Sequence, residues 1–337
     1  MGRFLSVHRI FMAVLVLLLL SAGAVAWGGW KVYRAARRAL ILEARRDAPW
    51  TEVRRETKTF DTGGARVLVI DNPMGDVHVM GTVLASAARR PSGDALPDDH
   101  HVRVENLVRR RDDVAPAPRS RRPLVLSGKA AGGGEYRVIV HGDPKDSIRA
   151  DLVVRVPPRL AVEVITDVGD VQVHGVKGEV TLRGFAGETE VSGCPGPVSI
   201  NRSAGEMQVK GTREAVEVHA DAGSLTVSDA TGPVHASTRA GEVILERVAG
   251  DDVKASVSTG QVTIGLRPGR VGSVVARARI GEADIAVPPE ADCRVRIDVG
   301  LGSAEDQRAS SRSSSANAGL VDVGVGIGQI TVTDAES

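Results

Sequence analysis

Gly187-Glu-Thr-Glu-Val-Ser-Gly-Cys-Pro-Gly196-Pro-Val-Ser-Ile-Asn-Arg-Ser-Ala-Gly205 decides how the rest of the chain is read. It holds two copies of one nine-residue unit, and the unit extends in both directions. Glycines stand at Gly169, Gly178, Gly187, Gly196 and Gly205. Glu214 takes the next place, and Gly223, Gly232, Gly241 and Gly250 resume the series. One extra residue then sets Gly260 out of phase, and Gly75 opens an earlier copy of the unit. A short fixed period is the sequence signature of a repeat architecture.

Two and four places after each glycine comes an apolar pair with one residue between. Val171/Val173, Val180/Leu182, Val198/Ile200, Met207/Val209, Val216/Val218, Leu225/Val227 and Val243/Leu245 follow this rule, and the residues between are mostly polar. Strict alternation of this kind marks a short strand with one buried face. The glycine is the bend, because it accepts positive φ without a Cβ penalty. Alternate units match better than neighbours. Ala-Gly recurs at 186–187, 204–205, 222–223 and 240–241, so the repeat unit is eighteen residues, two strands and two bends. Val176, Cys194, Thr212, Ala230 and Val248 recur at that spacing as a small inward corner column. The expected fold is all-β, a parallel β-solenoid with two short strands per eighteen-residue coil, stacked about 4.8 Å apart.

Composition agrees with a thin aliphatic interior: 38 Gly accompany only 4 Phe, 2 Tyr and 3 Trp in 337 residues. The formal net charge of +1 supplies no field for nucleic acid, so none is expected as a partner. Two cysteines, Cys194 and Cys293, make no disulfide framework.

Residues 1–30 read as a membrane anchor, with Trp27, Trp30 and Tyr33 as an aromatic belt and Lys31, Arg34, Arg37 and Arg38 as its basic flank. A cleaved signal peptide ending near Ala24-Val25-Ala26 is the alternative. Either reading makes the membrane a partner, with a single-pass localisation. The basic flank argues for a cytoplasmic body and the long following domain for an exported one; export is the expectation adopted. Residues 31–56 read as a basic juxtamembrane helix. Residues 57–160 hold the first strands, with a proline-rich polar insertion at 84–122 and one strand candidate inside it at His101–Leu107. The regular coils occupy 161–333, with a serine-rich loop at 309–318. Ile327-Gly-Gln-Ile-Thr-Val332 repeats the unit a final time, which places the chain's end in the last coil.

Asp71-Asn-Pro-Met-Gly-Asp-Val-His-Val79, Val153-Val-Arg-Val-Pro-Pro158 and the run of Gly-Glu/Asp-Val-x-Val units resemble the bacterial putative-adhesin, β-strand-repeat family of unassigned function. The resemblance covers most of Phe60 to Val332. It implies a non-catalytic β-solenoid, often beside a membrane span, and brings no catalytic residues.

The residues themselves support no catalytic or metal site. Calcium-binding nonapeptides need paired glycines and a regular aspartate, whereas here the acid varies between Asp170, Glu179, Glu188 and Glu206 or gives way to Pro197 and Pro233. Asp98-Asp-His-His101 has no further ligand at metal spacing. No phosphate-binding loop, nucleophile elbow or paired-cysteine motif is present. No cofactor is expected. The functional expectation is a membrane-anchored, non-enzymatic surface for adhesion or envelope scaffolding, with a protein or glycan partner on the solenoid faces. The alternatives are a carbohydrate-active β-helix enzyme and an accessory protein of a membrane stress response.

Overall fold

The computed structural model describes residues 50–82, 100–111, 124–141, 148–268, 271–308 and 318–335. The chain divides into two units, Met1–Thr51 with Arg111–Pro116, and Glu52–Arg110 with Ala117–Ser337. Of the first only Trp50, Thr51 and Arg111 are described, and the architecture below is that of the second.

The described residues are all-β apart from a single 3₁₀ turn at Gly132–Gly134. The early strands are β1 (Trp50–Asp61), β2 (Val67–Asp71), β3 (Val77–Gly81), β4 (His101–Arg111), β5 (Val125–Ala131), β6 (Glu135–His141), β7 (Ile148–Val156), β8 (Ala161–Val168) and β9 (Val171–His174). There follow β10 (Val180–Ala186), β11 (Thr189–Ser192), β12 (Val198–Lys210), β13 (Val216–Ser228), β14 (Val234–Val248), β15 (Asp252–Leu266), β16 (Ser273–Val287), β17 (Cys293–Asp306) and β18 (Gly319–Asp334). From β12 onward each strand carries both halves of a repeat with the glycine bend inside it.

Neighbouring strands through the regular region are parallel and offset by one repeat. Val180 pairs with Val198, Val198 with Val216, and Val216 with Val234. The same column continues through Val253, Val274 and Val321 to Val295. The offset is eighteen residues from β10 to β14 and lengthens beyond, yet the pairing keeps inward residues beside inward residues. Leu182, Ile200, Val218, Met207, Leu225, Val243, Val262 and Ile264 are all at most 1% exposed. Each such aliphatic side chain removed from water stabilises the fold by about 1.5–3 kcal/mol. Val234 pairs with Val253, so the extra residue before Gly260 lies ahead of Val253, in the corner between β14 and β15, and the valines that follow keep their inward parity. A one-residue register shift between Leu245 and Val248 falls later along the pair, opposite Ile264 and Leu266.

Sequence order and spatial order part company at both ends. β2 lies between β6 and β8, and β3 between β7 and β9. At the other end β18 lies between β16 and β17. The final strand is thus one place in from the edge, which corrects the expectation that the chain ends in the outermost coil. Within the stretch expected as a polar insertion, β4 runs antiparallel to β7 and buries Val102 and Val104 completely.

Two further expectations are corrected. Among the described residues no helix is long and apolar enough to cross a membrane, so the single-pass membrane localisation is withdrawn. The described apolar residues mostly alternate with period two, which suits half-buried strands, and the continuous run Val67-Leu-Val-Ile70 is far too short to cross a bilayer. Residues 1–49, with Trp27, Trp30, Lys31, Tyr33, Arg34, Arg37 and Arg38, lie outside the described residues. The basic helix drawn to residue 56 fails from Trp50, where β1 starts. Thr51, Val53, Thr57 and Thr59 are β-branched and favour the extended chain.

Candidate functional site

The glycines of the repeat fall into two kinds. Gly75, Gly169, Gly187, Gly205, Gly223, Gly241 and Gly260 all have φ between 128° and 152°. From Gly205 onward they lie inside a strand and bend it. At Gly223 a Cβ would lie 1.9 Å from the Gly205 carbonyl oxygen, so both dihedral and space demand glycine. Gly178, Gly196, Gly232 and Gly250 form the second kind, without positive φ. There the requirement is close approach alone: a Cβ on Gly232 would lie 2.4 Å from the Glu214 carbonyl oxygen. Gly281, Gly302 and Gly328 continue the first kind, with φ of 139–145°.

The inward position just before the bend carries donors. Asn72 is fully buried and donates from Nδ2 to the carbonyls of Ala150 (2.9 Å) and Gly75 (3.3 Å). Arg202 is 1% exposed and donates to Thr189 Oγ1 (2.7 Å) and to the carbonyls of Gly169 and Ala186 (3.0 Å each). Gly184 on the preceding coil makes room for it, since a Cβ there would sit 3.2 Å from the guanidinium. Burial pulls the Arg202 pKa down to about 10, with the Asp170 carboxylate opposing the shift. Thr238 donates likewise to the Ala240 carbonyl (3.3 Å). These side chains add hydrogen bonds to carbonyls at the bend, of which the Ala186 carbonyl also accepts from the Gly169 amide (3.1 Å). Sequence reading missed Arg202; its signal was a cation at inward parity between Ile200 and Ala204.

The outward position just after the bend carries acids. Asp151 Oδ1 accepts from the Asp76 amide (3.0 Å), Asp76 Oδ1 from the Asp170 amide (3.1 Å), and Asp170 Oδ1 from the Glu188 amide (2.9 Å). This staircase explains the recurring Gly-Asp/Glu pair as bend chemistry. Arg149 lies 3.2 Å from Asp151 and 3.4 Å from Asp76, and Arg109 lies 2.9 Å from Asp151. Desolvation nonetheless pushes the Asp151 carboxyl above the usual range, outweighing the Asp76 amide and the two arginines.

The histidines His174, His219 and His235 face outward. They contact Ser192, Ser237 and Asp252 on the next coil at 3.0, 2.8 and 2.9 Å. Cys194 is fully buried, and desolvation raises its thiol. Of the Asp98-Asp-His-His101 cluster, Asp98 and Asp99 lie outside the described residues. Among the described residues no group of three or more His, Cys, Asp or Glu is placed to hold a metal ion.

A concavity lies beside the bends of β14–β18. It is a groove of about 570 Å³ lined by Ser256, Ser258, Arg277, Arg279, Asp298 and the backbone of Gly300, Gly324 and Gly326. Arg277 donates to the Asp322 carbonyl (3.0 Å) and pairs with its carboxylate. The three glycines remove the side chains that would otherwise fill the notch. Along its edge Ile280, Ile327 and Leu301 stand side by side on neighbouring strands, 46%, 50% and 68% exposed. The corresponding places on earlier coils hold Ala186, Ala204, Ala222 and Ala240.

No family model and no curated protein matches the chain. Solved structures do. A putative adhesin from Bacteroides fragilis is 12% identical, with a TM-score of 0.34, over 83% of this chain and 97% of that one. A putative adhesin from Parabacteroides merdae is 12% identical, with a TM-score of 0.32, over 84% and 97%. A putative cell adhesion protein from Clostridium sporogenes is 11% identical, with a TM-score of 0.21, over 83% and 99%. The bacterial putative-adhesin resemblance read from the repeats thus has its counterpart in the descriptions of these structures. None of the three is described as an enzyme. Identity at this level assigns no activity.

Proposed function

We propose that the regular coils over 161–333 wind as a parallel β-solenoid, two short strands per eighteen-residue coil, and serve as a non-enzymatic interaction surface, adhesive or scaffolding. The observation that supports this reading is the parallel register of eighteen residues from β10 to β14, in which inward positions stack into aliphatic columns and outward positions form cross-strand ladders. Thr181 beside Ser199, and Ser199 beside Glu217, form one such ladder facing solvent. A partner, a protein surface or a glycan, would meet a polar ladder whose residues change from step to step, from Thr181 and Ser199 to Glu217 and His235. The groove supports a binding role over a hydrolytic one. Asp298 is the one carboxylate among its lining residues, whereas cleaving a glycosidic bond calls for two opposed carboxyl groups.

The winding is tested by deleting whole and half repeats. Removing Gly205–Ala222 joins Ala204 to Gly223, leaves every inward column in phase, and is expected to give a folded protein with an unchanged strand signal by circular dichroism. Removing only Gly205–Arg213 puts bends against strands and is expected to unfold the region. Equal damage from both deletions would remove the solenoid reading. Turnover of a polysaccharide by the purified chain would remove the non-enzymatic one.

A further inference from the structure

Among the described residues no strand covers the far side of β17, which pairs on one edge only, with β18. Its inward residues Val295, Ile297 and Val299 are half-buried, whereas their partners Val321, Val323 and Val325 on β18 are at most 3% exposed. The column is therefore one layer short of closure. An unpaired strand edge with a half-covered aliphatic row is a template for one more strand. The first arm of β17 also has a charge preference: Arg294 and Arg296 are exposed on its outward face, against the single Asp298.

We propose that the free edge of β17 along Cys293–Val299 takes up an extended peptide segment of a partner protein, alternating aliphatic and acidic residues. Its aliphatic side chains would complete the interior over Val295, Ile297 and Val299. Its carboxylates would lie beside Arg294 and Arg296, as cross-strand neighbours of opposite charge do. A second copy of this chain fits less well. Antiparallel pairing that keeps the two bends together, with Val299 facing Ala304, sets Asp298 against Glu305. The inference names a partner chemistry for the interaction protein proposed above, yet it depends on the edge alone and not on the outward columns.

The test uses the full-length chain and a synthetic peptide alternating valine and glutamate, long enough to span Cys293–Val299. Binding is read by fluorescence anisotropy and by hydrogen exchange. The expected result is saturable binding with slowed exchange in β17 and unchanged exchange in β13. A valine–lysine peptide should bind about tenfold more weakly, and R294E/R296E should invert that preference. Both arginines are exposed, so the double variant keeps its fold, which circular dichroism verifies. N-methylation of alternate peptide amides should abolish binding, because those amides form the ladder. Absence of binding, equal binding of the N-methylated peptide, an indifferent response to R294E/R296E, or self-association of the free chain through β17 would each overturn the proposal. The whole-repeat deletion above leaves β17 intact, so failure of the edge is distinguishable from failure of the solenoid reading.

Discussion

The two ends of the strand stack solve one problem differently. At the end formed by the early strands, β5 pairs antiparallel with β6 and β4 pairs antiparallel with β7, so both ladders receive a closing strand. Lys58 Nζ donates to the Leu126 carbonyl at 2.7 Å, Phe60 packs 6.0 Å from the Tyr136 ring, and Arg55 lies 3.2 Å from Glu105. Here Leu126, Val138 and Val104 are at most 1% exposed. At the β17 end the equivalent aliphatic row is half-open, and the second arm, from Gly300 to Gln307, is exposed throughout. The difference teaches that an interior column is completed by the next strand over it and not by the side chains alone. Burial at a given inward position depends on how many coils lie beyond it.

This contrast can be broken most severely with a charge. Val138→Asp buries an unpaired carboxylate at the closed end and is expected to cost about 4 kcal/mol or more. Val299→Asp at the open end keeps access to water and should cost about 1 kcal/mol. Urea unfolding of both variants measures the gap, and equal losses would show that the β17 end is covered in solution. Truncation sharpens the same comparison with a smaller effect. Leu126→Ala should cost about 3 kcal/mol, because a full cavity is left, and Ile297→Ala about 1 kcal/mol.

Amide exchange extends the comparison to the wild-type chain. Protons of β6 should exchange far more slowly than those of β17, since one edge of β17 has no ladder to break. Comparable protection factors would contradict the open-edge description.

The smallest effect concerns pH at the closed end. The carboxyl of Asp151 has its pKa raised in the folded state, chiefly by desolvation. A raised carboxyl favours the fold while protonated, and that contribution is lost as pH rises from the ordinary aspartate range, about 4, through the folded value. Asp151→Asn stays neutral and can still accept from the Asp76 amide. It should be slightly more stable than wild type at neutral pH, with the difference shrinking in acid. A thermal-melting series across pH reads the trend; a variant less stable at neutral pH would show that Arg109 and Arg149 outweigh desolvation.

Local pattern carried the bends and the buried faces. Gly223 and Gly232 were both legible as bends, although one needs positive φ and the other only a close backbone. The inward residues were legible too, because two-residue alternation between bends allows one buried face. Arg202 and Asn72 were not legible as bend donors. Their partners are carbonyls on other coils, brought near only when the bends stack.

What the sequence determined by itself is thus the all-β class, the eighteen-residue step and the inward and outward faces, since each follows from spacing within a few residues. What only the tertiary structure decided is which strand lies against which: β2 between β6 and β8, and β18 between β16 and β17. The physical reason is that every repeat offers nearly the same aliphatic ladder to its neighbour, so periodicity cannot rank the neighbours. The connections from β3 to β4 and from β17 to β18 are long enough to permit more than one order, because loop closure costs little more as a loop lengthens. The order is a property of the assembled stack and of no single repeat.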